Sequence, residues 1–290
     1  MSDSLESLNR KIAGAGDIGG VVRTMKAMAA SNIVQYETAV NSLQEYDYNI
    51  DLGIKAYFNQ PGNNLFTEQK KTGSKKKIYA LIFGSDLGLV GQFNDQITGF
   101  ALDFLNKLEG EKEMWAVGEH IATRLLDKGI KASTLYGVPV SVNSIQPLVK
   151  QILAKAEEGN IEKEFYIFHN RPKQGSGYEP VSQRWLPLDA AWKKEITDLK
   201  WPAKNLPEVI GNKSQIFTKL ISEYLFVSLF RSCAESLASE NASRLEAMQR
   251  AEKNIDEMLL DLGSKYHRLR QSSIDEELFD VISGFEALKE

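Results

Sequence analysis

The stretch Leu245–Leu269, LEAMQRAEKNIDEMLLDLGSKYHRL, decides how the rest of the chain is read. Leu245, Met248, Ile255, Leu259, Leu262, Tyr266 and Leu269 recur at alternating steps of three and four. Within them Met248, Ile255, Leu262 and Leu269 keep a strict interval of seven. Only a helix brings such positions into line, and the interval of seven is that of a coiled-coil seam. No proline interrupts the chain from Gly211 to Leu288, so the spacing predicts one helix over 211–288, on the order of 110 Å long at 1.5 Å per residue. Most of such a helix must leave any globular part of this chain and find a partner outside it.

The other end of the chain carries a matching seam. Leu5, Leu8, Ile12, Ala15, Gly19, Val22, Lys26, Ala29, Ile33, Tyr36, Val40, Leu43, Asp47, Ile50, Ile54 and Tyr57 keep the three-four alternation, broken only at Gly19, Lys26 and Asp47. A second helix is therefore predicted over 1–59. It stops before Pro61-Gly62, because proline lacks the amide donor and restricts the residue before it. If the first helix ends near Phe58 and the last begins near Asn212, the two run away from the middle of the chain side by side and antiparallel. Gly14, Gly16, Gly19 and Gly20 fall inside the first helix, where each costs about 1 kcal/mol relative to alanine. Two readings stay open for them: a close crossing of two backbones, or a segment made to bend against a partner.

Between the helices, short apolar runs alternate with amphipathic ones. Strands are predicted over 78–83, 114–117, 130–135, 164–169 and, at an edge of the sheet, 178–187. Helices are predicted over 94–108, 120–128 and 146–157, and 189–207 reads as a connector. This alternation implies a mostly parallel sheet. The fold class is α/β: a long antiparallel coiled coil of N- and C-terminal helices with an inserted Rossmann-like α/β domain over 74–190.

Composition narrows the function. A formal net charge of −4 argues against a nucleic-acid binder driven by phosphate neutralisation. No apolar run approaches the length of a membrane span. The N-terminus Met1-Ser2-Asp3-Ser4-Leu5-Glu6 fits neither a signal nor a transit peptide. Cys233 is the lone cysteine, which fits a reducing, cytoplasmic setting. Gly84 to Gly91 follows the first strand, where a doubly wound fold places its phosphate loop. Its glycine spacing matches neither the dinucleotide fingerprint nor the P-loop, so a structural turn is the better reading. His120, His169 and His267 stand far apart, and none lies beside another ligand at metal spacing. No catalytic residues, cofactor or metal are expected, and the pattern points to mechanical or scaffolding work. A nucleotide-binding α/β enzyme and an unrelated coiled-coil scaffold remain as alternatives.

Four segments, Val21–Ala29 (VVRTMKAMA), Ser85–Asn94 (SDLGLVGQFN), Glu235–Met248 (ESLASENASRLEAM) and Tyr266–Ile274 (YHRLRQSSI), resemble the signatures of the gamma subunit of F-type ATP synthases. The resemblance covers both ends and the first strand-turn of the middle. It implies a rotor that turns inside a hexamer of alpha and beta subunits, with the α/β domain at the foot against the epsilon subunit and the membrane ring of c subunits. Such a subunit does no chemistry itself. It couples proton or sodium flow to ATP synthesis or hydrolysis on the beta subunits, peripheral to the cytoplasmic face of a bacterial cell membrane and touching that membrane only through the c ring. Met25, Lys26, Arg244, Arg270 and Gln271 match family positions that touch the alpha and beta subunits. Leu87 and Val90 replace the usual arginine and cysteine of the turn, the glycine cluster replaces a more polar stretch, and the tail FEALKE replaces a run of small residues. These departures imply a divergent member, of the kind an accessory or alternate ATP synthase would carry.

Register gives a further expectation. With Phe58 level with Asn212 and equal rise on both helices, facing residue numbers sum to about 270, which sets Met25 opposite Leu245 and Ser2 opposite Arg268. Beyond that level the last helix stands without the first. Ile274, Leu278, Phe279, Val281, Ile282, Phe285 and Leu288 are too apolar to stand bare in water, so a collar of alpha and beta subunits is expected to sheath them. Arg244, Arg270 and Gln271 lie off the seam and are expected to face outward.

Overall fold

The structure is a computed structural model that describes residues 4–60, 77–158, 163–173, 177–205 and 209–287. The chain divides into two compact units, Met1–Ala29 with Arg244–Glu290, and Ala30–Ser243. Two helices contribute to both: α1 (Leu5–Phe58) and α6 (Lys213–Ala287).

In the first unit, Leu8, Ala15, Val22 and Ala29 of α1 are buried, as is Met248 of α6. They lie on the two predicted seams. The seam breaks at Gly19 and Lys26 each have a partner on α6. A methyl built on Gly19 would lie 3.4 Å from Ile255 Cγ2, and Lys26 Nζ donates to Glu252 Oε2. Numbers rise on α1 as they fall on α6, so the pair is antiparallel. A methyl built on Gly14, Gly16 or Gly20 would meet nothing within 4 Å. Close approach thus explains Gly19 alone, and α1 runs unbroken through all four glycines.

The second unit holds a five-stranded sheet in the order β3-β2-β1-β4-β5, built from β1 (Lys77–Phe83), β2 (Glu111–Val117), β3 (Thr134–Tyr136), β4 (Lys163–Pro172) and β5 (Tyr178–Leu186). The first four are parallel, and β5 pairs antiparallel with β4 at the edge. The remaining helices are α2 (Phe93–Leu105), α3 (Glu119–Asp127), α4 (Val142–Glu157) and α5 (Ala190–Asp198).

Alternate residues of β1 feed opposite faces of the sheet. Ile78, Ala80 and Ile82 meet Ile97 and Ala101 of α2 and Ile121 and Leu125 of α3. Leu81 and Phe83 meet Val149 and Ile152 of α4, Leu229 and Leu237 of α6, and Tyr36 of α1. Burial on both faces is why these strands read as near-continuous apolar runs. At about 1.5–3 kcal/mol for each large apolar side chain removed from water, this sandwich holds the adjoining parts of α1 and α6 against the sheet.

Three elements differ from their sequence reading. The strand expected over 130–135 reduces to Thr134–Tyr136. Ile130 N instead donates to Leu125 O and Gly129 N to Leu126 O, closing α3 through Gly129 at φ 76, with Ile130 packed on the core. Helix α4 starts four residues before Gln146, at Val142, because Ser144 Oγ accepts from Ser141 N and opens the helix there. The expected connector contains α5. Asp189 caps it by accepting from Ala191 N and Trp192 N, and buried Lys55 Nζ donates to Thr197 O and Leu199 O at its far end, where carbonyls lack helical partners.

The register also shifts. Tyr57 stacks on Phe217, with ring centroids 4.4 Å apart, so the first turn of α6 extends past the end of α1 rather than starting level with Phe58. In the first unit, Gly19 facing Ile255 carries the same offset, and Lys26 reaching Glu252 is displaced in the same direction. Met25 therefore lies at least a turn beyond the level of Leu245. Ser2 lies outside the described residues.

Candidate partner interface

Between Val227 and Arg244 α6 is enclosed. Every residue from Val227 to Arg244 except Phe230, Arg231 and Ala242 is buried. Arg244, expected to face outward, is 9% exposed. The reason is that seam position predicts exposure only where a helix has one neighbour, and this stretch is packed on nearly every side. Ser239 Oγ donates to Asn170 O, and Ser243 Oγ donates to Val90 O at 2.6 Å, so the helix is hydrogen-bonded to strand β4 and to the β1–α2 loop.

The loop between β1 and α2 is a structural turn. A methyl on Gly84 would fall 1.9 Å from Ile121 Cγ1, which only glycine avoids. Ser85 and Asp86 bond within the chain. Ser85 N donates to Asn94 Oδ1, while Asp86 Oδ1 accepts from Glu119 N and Oδ2 from Val138 N. The carboxylate of Asp86 thus occupies the N-terminus of α3, where a phosphate would otherwise be favoured.

A charge cluster centred on buried His169 and Glu235, with Arg171 and Arg231 reaching partly into solvent, escaped sequence reading because its members are dispersed along the chain. Glu235 Oε2 is 2.8 Å from His169 Nε2 and accepts from Arg171 Nε at 2.9 Å; Glu235 Oε1 accepts from Arg231 Nε at 2.9 Å. Arg231 reaches on to Asp47 Oδ2 at 3.3 Å, which accounts for the third seam break. Burial alone would raise the Glu235 carboxyl, but the His169, Arg171 and Arg231 donors outweigh it and hold it at about 2. Burial depresses the His169 imidazole below its ordinary value. Among the described residues no group of three His, Cys, Asp or Glu could hold a metal ion, and no helix is long and apolar enough to cross a membrane.

From Arg270 to Gly284 α6 is bare. Arg270 and Gln271 are exposed, as expected. Ile274 is 54% exposed, Leu278 57% and Val281 68%; the Phe285 side chain lies outside the described residues. Ile274, Leu278 and Val281 follow steps of four and three and form one stripe. The coiled-coil seam, carried forward from Tyr266 and Leu269, would pass instead through Ser273, Glu276 and Asp280. At 3.6 residues per turn the apolar stripe is turned from that line by about 130°. It is therefore not an unused length of the α1 seam but a separate apolar face. Met25 and Lys26 are half-buried, with Lys26 engaged by Glu252.

The family model described as ATP synthase matches residues 4–288. The chain belongs to the ATP synthase gamma-chain family. It is similar to the ATP synthase gamma chain of Bdellovibrio bacteriovorus, 26% identical with 99% of each chain covered, and to that of Clostridium pasteurianum, 26% identical with 100% of each covered. Among solved structures, its fold is similar to a chain of the Euglena gracilis mitochondrial ATP synthase rotor, with a TM-score of 0.62 at 15% identity over 93% of this chain and 98% of that one. It is similar also to a chain of the OSCP/F1/c-ring assembly of the same enzyme, with a TM-score of 0.65 at 16% identity over 98% and 94%. In this gamma-chain member the Ser85–Asn94 signature forms the β1–α2 turn, Glu235–Met248 covers much of the enclosed stretch of α6, and Tyr266–Ile274 opens the bare tip.

Proposed function

We propose that the chain is the central-stalk rotor subunit of an F-type ATP synthase, which couples ion flow through a membrane ring of c subunits to ATP synthesis or hydrolysis on the beta subunits and does no chemistry itself. Family membership over nearly the whole chain supports the role. The observation that carries the mechanism is the apolar face of Ile274, Leu278 and Val281, turned away from the coiled-coil seam and bare in the free subunit. Such a face needs a sheath, and the alpha and beta subunits supply it. Arg270 and Gln271 stand at the mouth of that collar, where an arginine can meet a partner carboxylate. Ile274, Leu278 and Phe285 lie inside it. Met25 and Lys26 form a second contact, and Arg244 supports the stalk from within. The α/β unit faces the epsilon subunit and the c ring, so the chain is held at the membrane peripherally, on the cytoplasmic face of a bacterial cell. The nucleotide-enzyme reading is disfavoured by the β1–α2 turn, where Ser85 N donates to Asn94 and the Asp86 carboxylate takes the amides of Glu119 and Val138.

Purification from the native source tests the reading. The chain is expected to co-purify with alpha, beta, epsilon and c subunits, to hydrolyse no ATP alone, and to support hydrolysis when recombined with alpha and beta. Purification-resistant hydrolysis by the isolated chain, or a native complex that lacks alpha and beta, would overturn it.

A further inference from the structure

We propose that His169, Arg171, Arg231, Glu235 and Asp47 form an acid-released latch that fastens strand β4 to helices α6 and α1. The latch lies wholly within the Ala30–Ser243 unit, and the inference stands independently of the rotor role.

His169 is 1% exposed and Glu235 4%. With Nε2 facing a carboxylate oxygen at 2.8 Å, that nitrogen must carry the hydrogen. The other ring nitrogen, Nδ1, is buried with no hydrogen-bond partner. As an unprotonated lone pair it costs little, but protonated it would be a charged donor with nothing to receive it. Charge balance gives the same answer. The carboxylates of Glu235 and Asp47 already match the guanidiniums of Arg171 and Arg231, so an imidazolium would leave a buried excess positive charge.

Among the described residues no other ionisable side chain compensates. From α6 the groups facing the ring are Glu235 and Arg231; from β4 it is Arg171. Across the β5 edge His169 is paired with Val181, and Asp47 of α1 reaches the ring only through Arg231. The closed latch therefore requires neutral His169.

Opening removes that requirement. A solvated histidine titrates near 6.5, so at pH 5.5 protonation of the opened form favours opening by about tenfold over its value at pH 7.5. Ser239, which donates to Asn170 O from α6, shares the same strand-helix contact and is released with it. Acidification thus loosens the sheet from the helices that carry it, and neutral pH re-forms the joint.

Hydrogen exchange on the full chain, corrected for intrinsic rates, reads this directly. On passing from pH 7.5 to 5.5, protection over 163–172 and 228–243 is expected to fall about tenfold in the wild type. His169→Asn can still donate to Glu235 but cannot titrate, and should show no such fall. Should that variant not fold, His169→Gln serves the same purpose. Imidazole nitrogen shifts in the wild type give a second readout: His169 is expected to stay neutral, with hydrogen on Nε2, at pH 6. Unchanged wild-type protection, an equal fall in the asparagine variant, or an imidazolium at His169 with protection intact would each overturn the latch.

Discussion

Asp51 and Glu235 show how one solvent-poor setting drives two carboxyls in opposite directions. Glu235 collects three donors and is held at about 2. Asp51, half-buried on α1, has an Oδ1 with no hydrogen-bond partner. Burial, with Asp47 and then Glu195 adding repulsion, pushes it up from 3.8 to about 7. A carboxyl whose folded value lies above its unfolded one binds more protons in the native state. Its presence is therefore harmless below about pH 4, and stability is lost as pH rises from about 4 to about 7. Asp51→Asn removes the charge and keeps the shape. We expect it to raise the unfolding free energy at pH 8, by about 1 kcal/mol after solvent screening is allowed for, and to leave it unchanged at pH 4. An equal effect at both pH values in urea titrations would show that the charge is not the cause.

At the scale of elements, the glycine cluster separates what helix propensity costs from what packing demands. Gly14, Gly16 and Gly20 have open space where a methyl would go, while Gly19 faces Ile255. Alanine at any of the first three is expected to stabilise the isolated subunit by about 1 kcal/mol, and alanine at Gly19 to gain less. Hydrogen exchange in the wild type should be faster over 14–21 than over 33–43, and equal protection of the two segments would refute the weak point. The two long helices were legible because a seam repeats its signal many times: even the breaks at Gly19, Lys26 and Asp47 proved to be seam positions, filled by Ile255, Glu252 and Arg231. Helix α5 was not, since it has two turns only and its far end is held by Lys55, which lies distant in sequence. Register failed by a turn for a related reason. Periodicity fixes which face a residue occupies, but the level is set by tertiary contacts such as Tyr57 on Phe217. Arg244 failed because a helix packed on nearly every side offers little outward face to predict.

For the molecule as a whole, the argument rests on what the chain leaves uncovered. A stable subunit normally buries a ridge such as Ile274, Leu278 and Val281, and here the ridge is bare on a helix whose seam continues through Ser273, Glu276 and Asp280 instead. That mismatch was present in the sequence, since the apolar residues after Leu269 step out of line with those before it, but spacing alone gave only their need for cover. The exposed ridge contributes little to the fold of the free subunit, so replacing it should cost little there. Ile274→Ser with Leu278→Ser is expected to change the unfolding free energy of the isolated chain by less than about 0.5 kcal/mol. In assembly the same two side chains become buried, and losing them should cost about 3 kcal/mol, which weakens binding to an alpha-beta hexamer about a hundredfold. Glu276→Ser, on the polar line, should leave the affinity within about threefold. Titration of the hexamer with each variant distinguishes the cases: an unchanged affinity for the double variant would mean that the ridge is not the seat of the collar, and a destabilised free subunit would mean that it is covered by its own chain.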